Sequence, residues 1–153
     1  MLKHLKLLCV IFVFGCSFGA YKAVAQNLEK FSCVADQTTG FKWDGKKWVV
    51  GTFPVSAEKI VIEEIAPVKS AIDDRVFNYA VKKAGYSAPV YQCTRHDLKD
   101  RRGNNMTCGG LGYGFSFDMR TMRFQEYHGL GYVDGQDRDG ASPLITIGHC
   151  TRI

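Results

Sequence analysis

Hydrophobic and polar residues alternate along most of the chain in short runs, and turn-forming residues such as glycine, aspartate and serine separate the runs. A period of two is typical of β-strands with one buried face. The runs predicted as strands are residues 28–35, 39–43, 46–50, 58–66, 89–93, 106–117, 122–127, 129–133 and 144–147. Their hairpin-like spacing, without an internal repeat, predicts a mainly β protein. The expected fold is a single antiparallel β-barrel or β-sandwich of about eight short strands, with room for one short helix.

One hairpin is marked by its turn. Asp44-Gly45 lies between two aromatic runs, and this dipeptide favours the tight turn that joins antiparallel strands. Phe41 and Trp43 then share one strand face, and Trp48 and Val50 share one on the return strand. If the two faces coincide, these side chains pair across the strands.

Two segments are less regular. Residues 70–84 carry helix signals, with Ser70 as a cap and Gly85 as an end, but they also alternate as a strand does. The strands on either side favour a strand here as well. Residues 109–117 combine glycines with aromatic residues, which predicts a bent strand at a barrel corner.

The N-terminal region differs from the rest of the chain. Basic residues precede the apolar run Leu7–Phe18, and the small-x-small pattern Ala23-Val24-Ala25 follows. These features predict a secretory signal peptide over residues 1–25 and a single disulfide-stapled β-domain over residues 26–153. The domain is then exported, to the periplasm or the extracellular space. Cys16 offers an alternative, because the residues before it faintly resemble a lipoprotein box that would anchor the protein to a membrane.

The signal peptide also accounts for much of the charge. The full chain carries a formal net charge of +5. Lys3, Lys6 and Lys22 of the predicted signal supply three of those five charges. The remaining domain is close to neutral, which argues against nucleic acid as a partner.

Four cysteines remain in the domain: Cys33, Cys93, Cys108 and Cys150. In an oxidising compartment they form two disulfides, for which three pairings exist. We favour Cys93–Cys108, which closes a hairpin-sized loop, and Cys33–Cys150, which joins the first and last strands. No pair has the close spacing of zinc ligands, and residues 134–140 lack the ligand pattern of a calcium loop, so we expect no metal site and no cofactor.

His96, His128 and His149 are the candidate catalytic residues. Two of them acting as acid and base, beside a cation from the basic segment that follows His96, would make a small nuclease-like hydrolase. No spacing in the sequence brings them together, and the chain contains no serine elbow motif. An enzyme is therefore the alternative, and a non-enzymatic domain is the first interpretation.

Four aromatic residues, Phe41, Trp43, Trp48 and Tyr113, are the candidate ligand-lining residues at a barrel mouth. The core of a small β-domain needs such side chains too, and that is the more common use of them.

Several short motifs have a familiar order along the domain. They are Phe31-x-Cys33, Thr39-Gly40-Phe41, Gln92-Cys93, Cys108, Arg123-Phe124, Gly131-Tyr132, Ser142-Pro143 and Ile147-Gly148-x-Cys150. In this order they resemble a group of small secreted bacterial proteins without an assigned function. The resemblance implies two disulfides and one β-domain, and it supplies no catalytic residues.

The sequence therefore favours an exported, non-enzymatic β-domain that binds a small apolar ligand or a protein partner. The alternatives are the small hydrolase and a structural envelope protein anchored through a lipid on Cys16.

Overall fold

The structure is a computed structural model that describes residues 28–97 and 102–153. The predicted signal peptide and Cys16 lie outside the described residues. The elements within them are β1 (Lys30–Trp43), β2 (Trp48–Phe53), β3 (Ile60–Lys69), β4 (Val76–Lys83), β5 (Tyr91–Arg95), β6 (Asn105–Gly110), β7 (Tyr113–Asp118), β8 (Arg123–His128), α1 (Leu130–Val133) and β9 (Leu144–Arg152).

Eight of the strands close into an antiparallel barrel. From β3 to β9, each strand pairs with the next one along the chain, and β1 closes the ring by pairing with both β3 and β9. The extra strand, β2, pairs with the second half of β1 outside the ring. The prediction of a mainly β antiparallel fold is confirmed, and of its two forms the chain adopts the barrel.

Strand β1 pairs with two different strands along the same edge. Residues 30–33 pair with β3, whereas residues 38–43 pair with β2. Between these segments the register against β9 shifts at Asp36, which forms a β-bulge. Because a bulge bends a strand and increases its twist, β2 diverges from the barrel wall here. The connection from β2 to β3, residues 54–59, then passes over one end of the barrel.

The predicted Asp44-Gly45 hairpin is confirmed. Trp43 lies opposite Trp48 and Phe41 lies opposite Val50, so the two aromatic faces coincide. The Asp44 side chain accepts hydrogen bonds from the backbone N–H groups of the next two lysines, and Gly45 adopts a φ of 93°. Glycine accommodates this left-handed conformation without a steric penalty.

Residues 76–83 form β4, so the preference for a strand over a helix is confirmed. Ser70, the proposed helix cap, instead accepts hydrogen bonds from the N–H groups of Ile72 and Asp73 in the turn before β4. Serine hydroxyls stabilise such turns as readily as helix ends.

Two sequence predictions are wrong. Residues 109–117 are a hairpin between β6 and β7, because the chain reverses at Leu111-Gly112, where Gly112 takes a φ of 70°. Residues 129–133 contain the helical turn α1, since β8 ends at His128 and the chain turns away from the sheet. In the described part of the chain, no helix is long and apolar enough to cross a membrane.

Aromatic side chains fill the middle of the barrel. Phe31 contacts Phe117 edge to face, with 5.0 Å between the ring centroids. Phe115 stacks on Phe124 with 5.1 Å between the centroids. These four rings are almost completely buried, and burial of such area is the main driving force for the fold.

Both disulfides join directly opposed residues of neighbouring strands. Cys33–Cys150 links β1 to β9, and Cys93–Cys108 links β5 to β6. The favoured pairing is therefore confirmed. The first bond fixes the seam at which the N-terminal and C-terminal strands close the barrel.

A buried polar cluster closes one end of the barrel. The Arg95 guanidinium donates to Glu29 Oε2 at 2.8 Å and to the Tyr79 hydroxyl at 2.9 Å, and that hydroxyl donates to the same Glu29 oxygen at 2.6 Å. Only 7% of the Arg95 side chain is exposed. We refer to Glu29, Tyr79 and Arg95 as the polar plug.

Candidate functional site

The barrel end opposite the polar plug contains a cavity of about 560 Å³. We call this cavity the mouth chamber. Its wall is formed by inward-facing positions of six barrel strands, and the connection from β2 to β3 covers it. The residues that line it are Ala35, Thr38, Phe53, Pro54, Ser56, Glu58, Ile60, Val81, Lys82, Lys83, Val90, Tyr91, Glu126, Leu144 and Thr146.

Most of the chamber surface is apolar. Val81 and Tyr91 lie opposite each other on β4 and β5, and both are almost fully buried. The Tyr91 ring stacks on Phe115, with 6.1 Å between the centroids, so the central core supports the chamber floor. On the covering connection, Phe53 and Pro54 supply further apolar surface.

Three polar groups of the chamber lie on one row across the sheet. Glu126 of β8 lies opposite Thr146 of β9, which in turn lies opposite Thr38 of β1. The two threonine hydroxyls are 3.0 Å apart and hydrogen-bonded to each other. Strand alternation points all three side chains towards the interior.

Tyr91 and Glu126 form a hydrogen-bonded pair across the chamber. The Tyr91 hydroxyl donates to Glu126 Oε1 at 2.6 Å. Burial, together with this hydrogen bond, raises the pKa of Tyr91 well above its ordinary value. The phenol therefore stays protonated at neutral pH and holds the carboxylate in one orientation.

The lysines at the rim already have acidic partners. Lys83 Nζ lies 2.6 Å from Glu58 Oε2, and Lys82 pairs with Glu63. The hydrogen bond and the charge of Glu58 raise the pKa of Lys83, and the charge of Glu126 adds a smaller contribution. Among the described residues, no cationic group lies within ion-pair distance of Glu126. The chamber thus has one negative charge without a partner.

The four aromatic residues proposed as ligand-lining lie elsewhere. Trp43 and Trp48 pack against each other on the β1–β2 hairpin, with 5.4 Å between their ring centroids, and Trp48 also contacts Tyr132 edge to face. Tyr113 packs behind Tyr91, at 5.9 Å between centroids. None of them lines the mouth chamber.

Phe41 lies on the outer face of the barrel, in an apolar groove of about 520 Å³. This groove also contains His128 and runs between the β1–β2 hairpin and α1. The large apolar side chains that line it and remain exposed are Phe41, Val50, Tyr127, Tyr132, Val133 and Ile145.

The other two histidines line a groove of about 1050 Å³ on the outer sheet face, which has polar and apolar surface in nearly equal parts. His149 Nδ1 is hydrogen-bonded to Asp36 at 2.8 Å, and His96 Nε2 is hydrogen-bonded to Thr107 at 2.6 Å. Thr107 is on β6 and His149 on β9, three strand spacings or about 14 Å apart along the sheet. Acid–base catalysis by one direct histidine pair requires hydrogen-bond reach, and these two rings are instead hydrogen-bonded to Thr107 and Asp36. The hydrolase stays an untested alternative.

Sequence reasoning missed the residues that give the chamber its chemistry. Thr38, Tyr91, Glu126 and Thr146 belong to no motif. One signal was present: Phe124, Glu126 and His128 share one face of β8, and an acid in phase with a core phenylalanine marks an inward-facing charge.

The described residues contain no group of three or more histidine, cysteine or acidic side chains arranged to hold a metal ion. The resemblance to small secreted bacterial proteins stays a prediction. No family model matches this chain, and comparison with curated proteins and with solved structures likewise finds no match.

Proposed function

We propose that this protein is an exported, non-enzymatic β-barrel that binds a small, largely apolar ligand in the mouth chamber. The observation that carries the proposal is a preformed apolar cavity of about 560 Å³ with one fixed polar pair, Tyr91 and Glu126. Ligand pockets in proteins commonly occupy about 300–1,000 Å³ and combine apolar walls with few polar groups. The chamber fits both criteria.

The barrel architecture supports this function. In eight-stranded barrels the interior is either filled by side chains or holds one small ligand. Here both occur, because aromatic residues fill the middle and the polar plug closes the far end, whereas the near end stays open. A ligand would enter beside residues 54–59, which belong to no strand.

The proposed export has independent support. The disulfides Cys33–Cys150 and Cys93–Cys108 are consistent with folding in an oxidising compartment. The signal peptide over residues 1–25 and the choice between periplasm and extracellular space are part of the proposal.

The first prediction concerns occupation of the chamber. We expect N-phenyl-1-naphthylamine, a neutral dye that fluoresces in apolar surroundings, to bind the purified protein at one site. Ala35→Leu adds apolar volume inside the chamber and should weaken dye binding about tenfold or more. Ser56→Trp on the covering connection should have the same effect without altering the barrel wall. Fluorescence titration gives the dissociation constants.

Val50→Ser is the matched control for dye binding. Val50 is 80% exposed and lines the outer apolar groove, not the chamber. This variant should bind the dye as the unmodified protein does. Absence of dye binding, or binding that depends on Val50 and not on Ala35 and Ser56, would contradict the proposal.

The second prediction concerns export. Expressed in a bacterium that processes signal peptides, the protein should be recovered from the periplasm with Gln26 as its first residue. Reduction should raise its mass by four hydrogen atoms, because two disulfides open. Denaturing mass spectrometry measures both quantities. A diacylglycerol adduct on Cys16 would instead support the lipid-anchored alternative.

A further inference from the structure

We infer that the ligand of the mouth chamber carries a protonated amine on an apolar body and that this amine pairs with Glu126. The inference rests on the proposed function, since it names the class of ligand for the same chamber. It follows from the charge of Glu126, which is the only charge lining the chamber without an ion-pair partner among the described residues.

Glu126 is placed to receive a donor from the chamber side. Its Oε1 accepts the hydrogen bond from Tyr91, and its register partners Phe115 and Thr146 lie on either side of it in the sheet. A carboxylate offers about four acceptor positions on its two oxygens. Tyr91 uses one of them and fixes the group, and the other positions can accept from a ligand because Glu126 lines the cavity.

The other charged groups around the chamber form no ion pair with Glu126, although its charge contributes to the raised pKa of Lys83. Lys83 forms an ion pair with Glu58, and Lys82 forms one with Glu63. The two pairs cancel in charge and lie at the rim, where about half of the Lys83 side chain is exposed. The inner part of the chamber is therefore a negative site.

Ligand entry displaces the water that solvates Glu126. A neutral apolar ligand would leave the carboxylate desolvated without a replacement, and burying an unpaired charge is costly. A carboxylate ligand would add a like charge at short range. An ammonium group replaces the lost water with charge-assisted hydrogen bonds, which are the strong ones. Preference for the amine over an uncharged isostere should be about 10- to 100-fold.

Three ligands of nearly the same shape test the inference: 2-naphthylmethylamine, 2-naphthalenemethanol and 2-naphthoate. Each competes with N-phenyl-1-naphthylamine at neutral pH, and the dye displacement gives its affinity. On the unmodified protein we expect the amine to bind about 10- to 100-fold more tightly than the alcohol, and the carboxylate to bind most weakly. This comparison does not depend on the folding of any variant.

Glu126→Gln should bring the amine and the alcohol to similar affinity, because the amide keeps the shape of the side chain and removes its charge. Asp139→Asn is the matched control, since it makes the same change of charge in an exposed loop and should keep the preference for the amine. Tyr91→Phe removes the hydroxyl but leaves the carboxylate, so that variant should also prefer the amine.

The outcomes separate the two proposals. If the dye does not bind, the proposed function fails. If the dye binds but the amine and the alcohol have equal affinities, or Glu126→Gln keeps the preference, the inference about the amine is overturned and the binding function stands.

Discussion

Replacing Cys33 and Cys150 together by alanine is expected to lower the free energy of unfolding by about 5 kcal/mol, the largest effect predicted for this protein. The bond joins residues 117 positions apart in the sequence. In the chain-entropy model, a cross-link restricts the unfolded chain more strongly as the loop that it closes grows longer. Typical domains have a total stability of only about 5–15 kcal/mol, so the double variant should be close to unfolding.

The position of this disulfide in the barrel strengthens the expectation. Cys33 and Cys150 lie opposite each other on β1 and β9, the two strands whose pairing closes the ring. Closing that seam brings the ends of the domain together, which carries the highest entropic cost of any pairing in the sheet. Because the disulfide also joins the two strands in the unfolded chain, it removes most of this entropic cost before the barrel forms.

Cys93 and Cys108 provide the matched control. Their bond also joins opposed residues of neighbouring strands, but it spans 15 positions. Replacing both by alanine should cost about 3 kcal/mol. Urea unfolding, followed by circular dichroism, compares the two double variants with the unmodified protein. A smaller loss for the Cys33/Cys150 variant than for the Cys93/Cys108 variant would show that the seam does not dominate stability.

The second large effect is expected in the polar plug. Arg95→Met should lower the free energy of unfolding by about 3 kcal/mol, because it removes the main cationic partner of the largely buried Glu29 carboxylate and one of the two hydrogen bonds of the buried Tyr79 hydroxyl. The exposed Arg152 also contacts Glu29, at 3.2 Å, and offsets part of the loss. Methionine keeps much of the apolar volume, so the measured loss reports the charge and its hydrogen bonds.

Arg75→Met is the matched control for the plug. Arg75 forms an ion pair with Asp73 at 2.7 Å, but about half of its side chain is exposed. Exposed ion pairs contribute little because solvent screens their charges, so this variant should lose little stability. Equal losses for Arg75→Met and Arg95→Met in urea unfolding would contradict the assignment of the plug as a buried, stabilising cluster.

The plug also predicts how stability depends on pH. Burial opposes ionisation of Glu29, but the Tyr79 hydrogen bond and the charges of Arg95, Arg102 and Arg152 outweigh it and lower the pKa of Glu29 below 4.5. A group with a lowered pKa in the folded state stabilises the protein above its unfolded pKa. This contribution is lost as the pH falls through the folded value. Urea unfolding between pH 7 and pH 3 should show a decline below about pH 4.5, and Arg95→Met should make it shallower.

The pKa of Tyr79 is affected in the opposite direction. Burial, together with the hydrogen bond to Glu29, raises the pKa of Tyr79 to about 12. The phenol therefore remains a donor throughout the pH range of these measurements and adds nothing to the decline at low pH. Hydrogen bonds also lower the pKa values of Asp73 and Asp118, so these groups share the decline, and the difference between Arg95→Met and the unmodified protein gives the part of Glu29.

Local signals were sufficient for much of the fold. Asp44-Gly45 fixes its own turn, since the turn residues and the flanking alternation act over a few positions. The strand in residues 76–83 is likewise visible as alternation, once the neighbouring strands are considered. The signals failed where glycines permit several conformations, as at Gly112, where a predicted bent strand is a hairpin.

By itself, the sequence determined the class of fold, the strand-forming segments and a favoured pairing of the cysteines, because period-two alternation and turn chemistry are local properties. Only the tertiary structure decided which strands meet and which inward positions share a cavity. Tyr91 and Glu126 are 35 residues apart, and their contact depends on the order and register of four strands. Alternation assigns a residue to a face, but barrel closure decides that the face with Glu126 becomes the wall of a chamber.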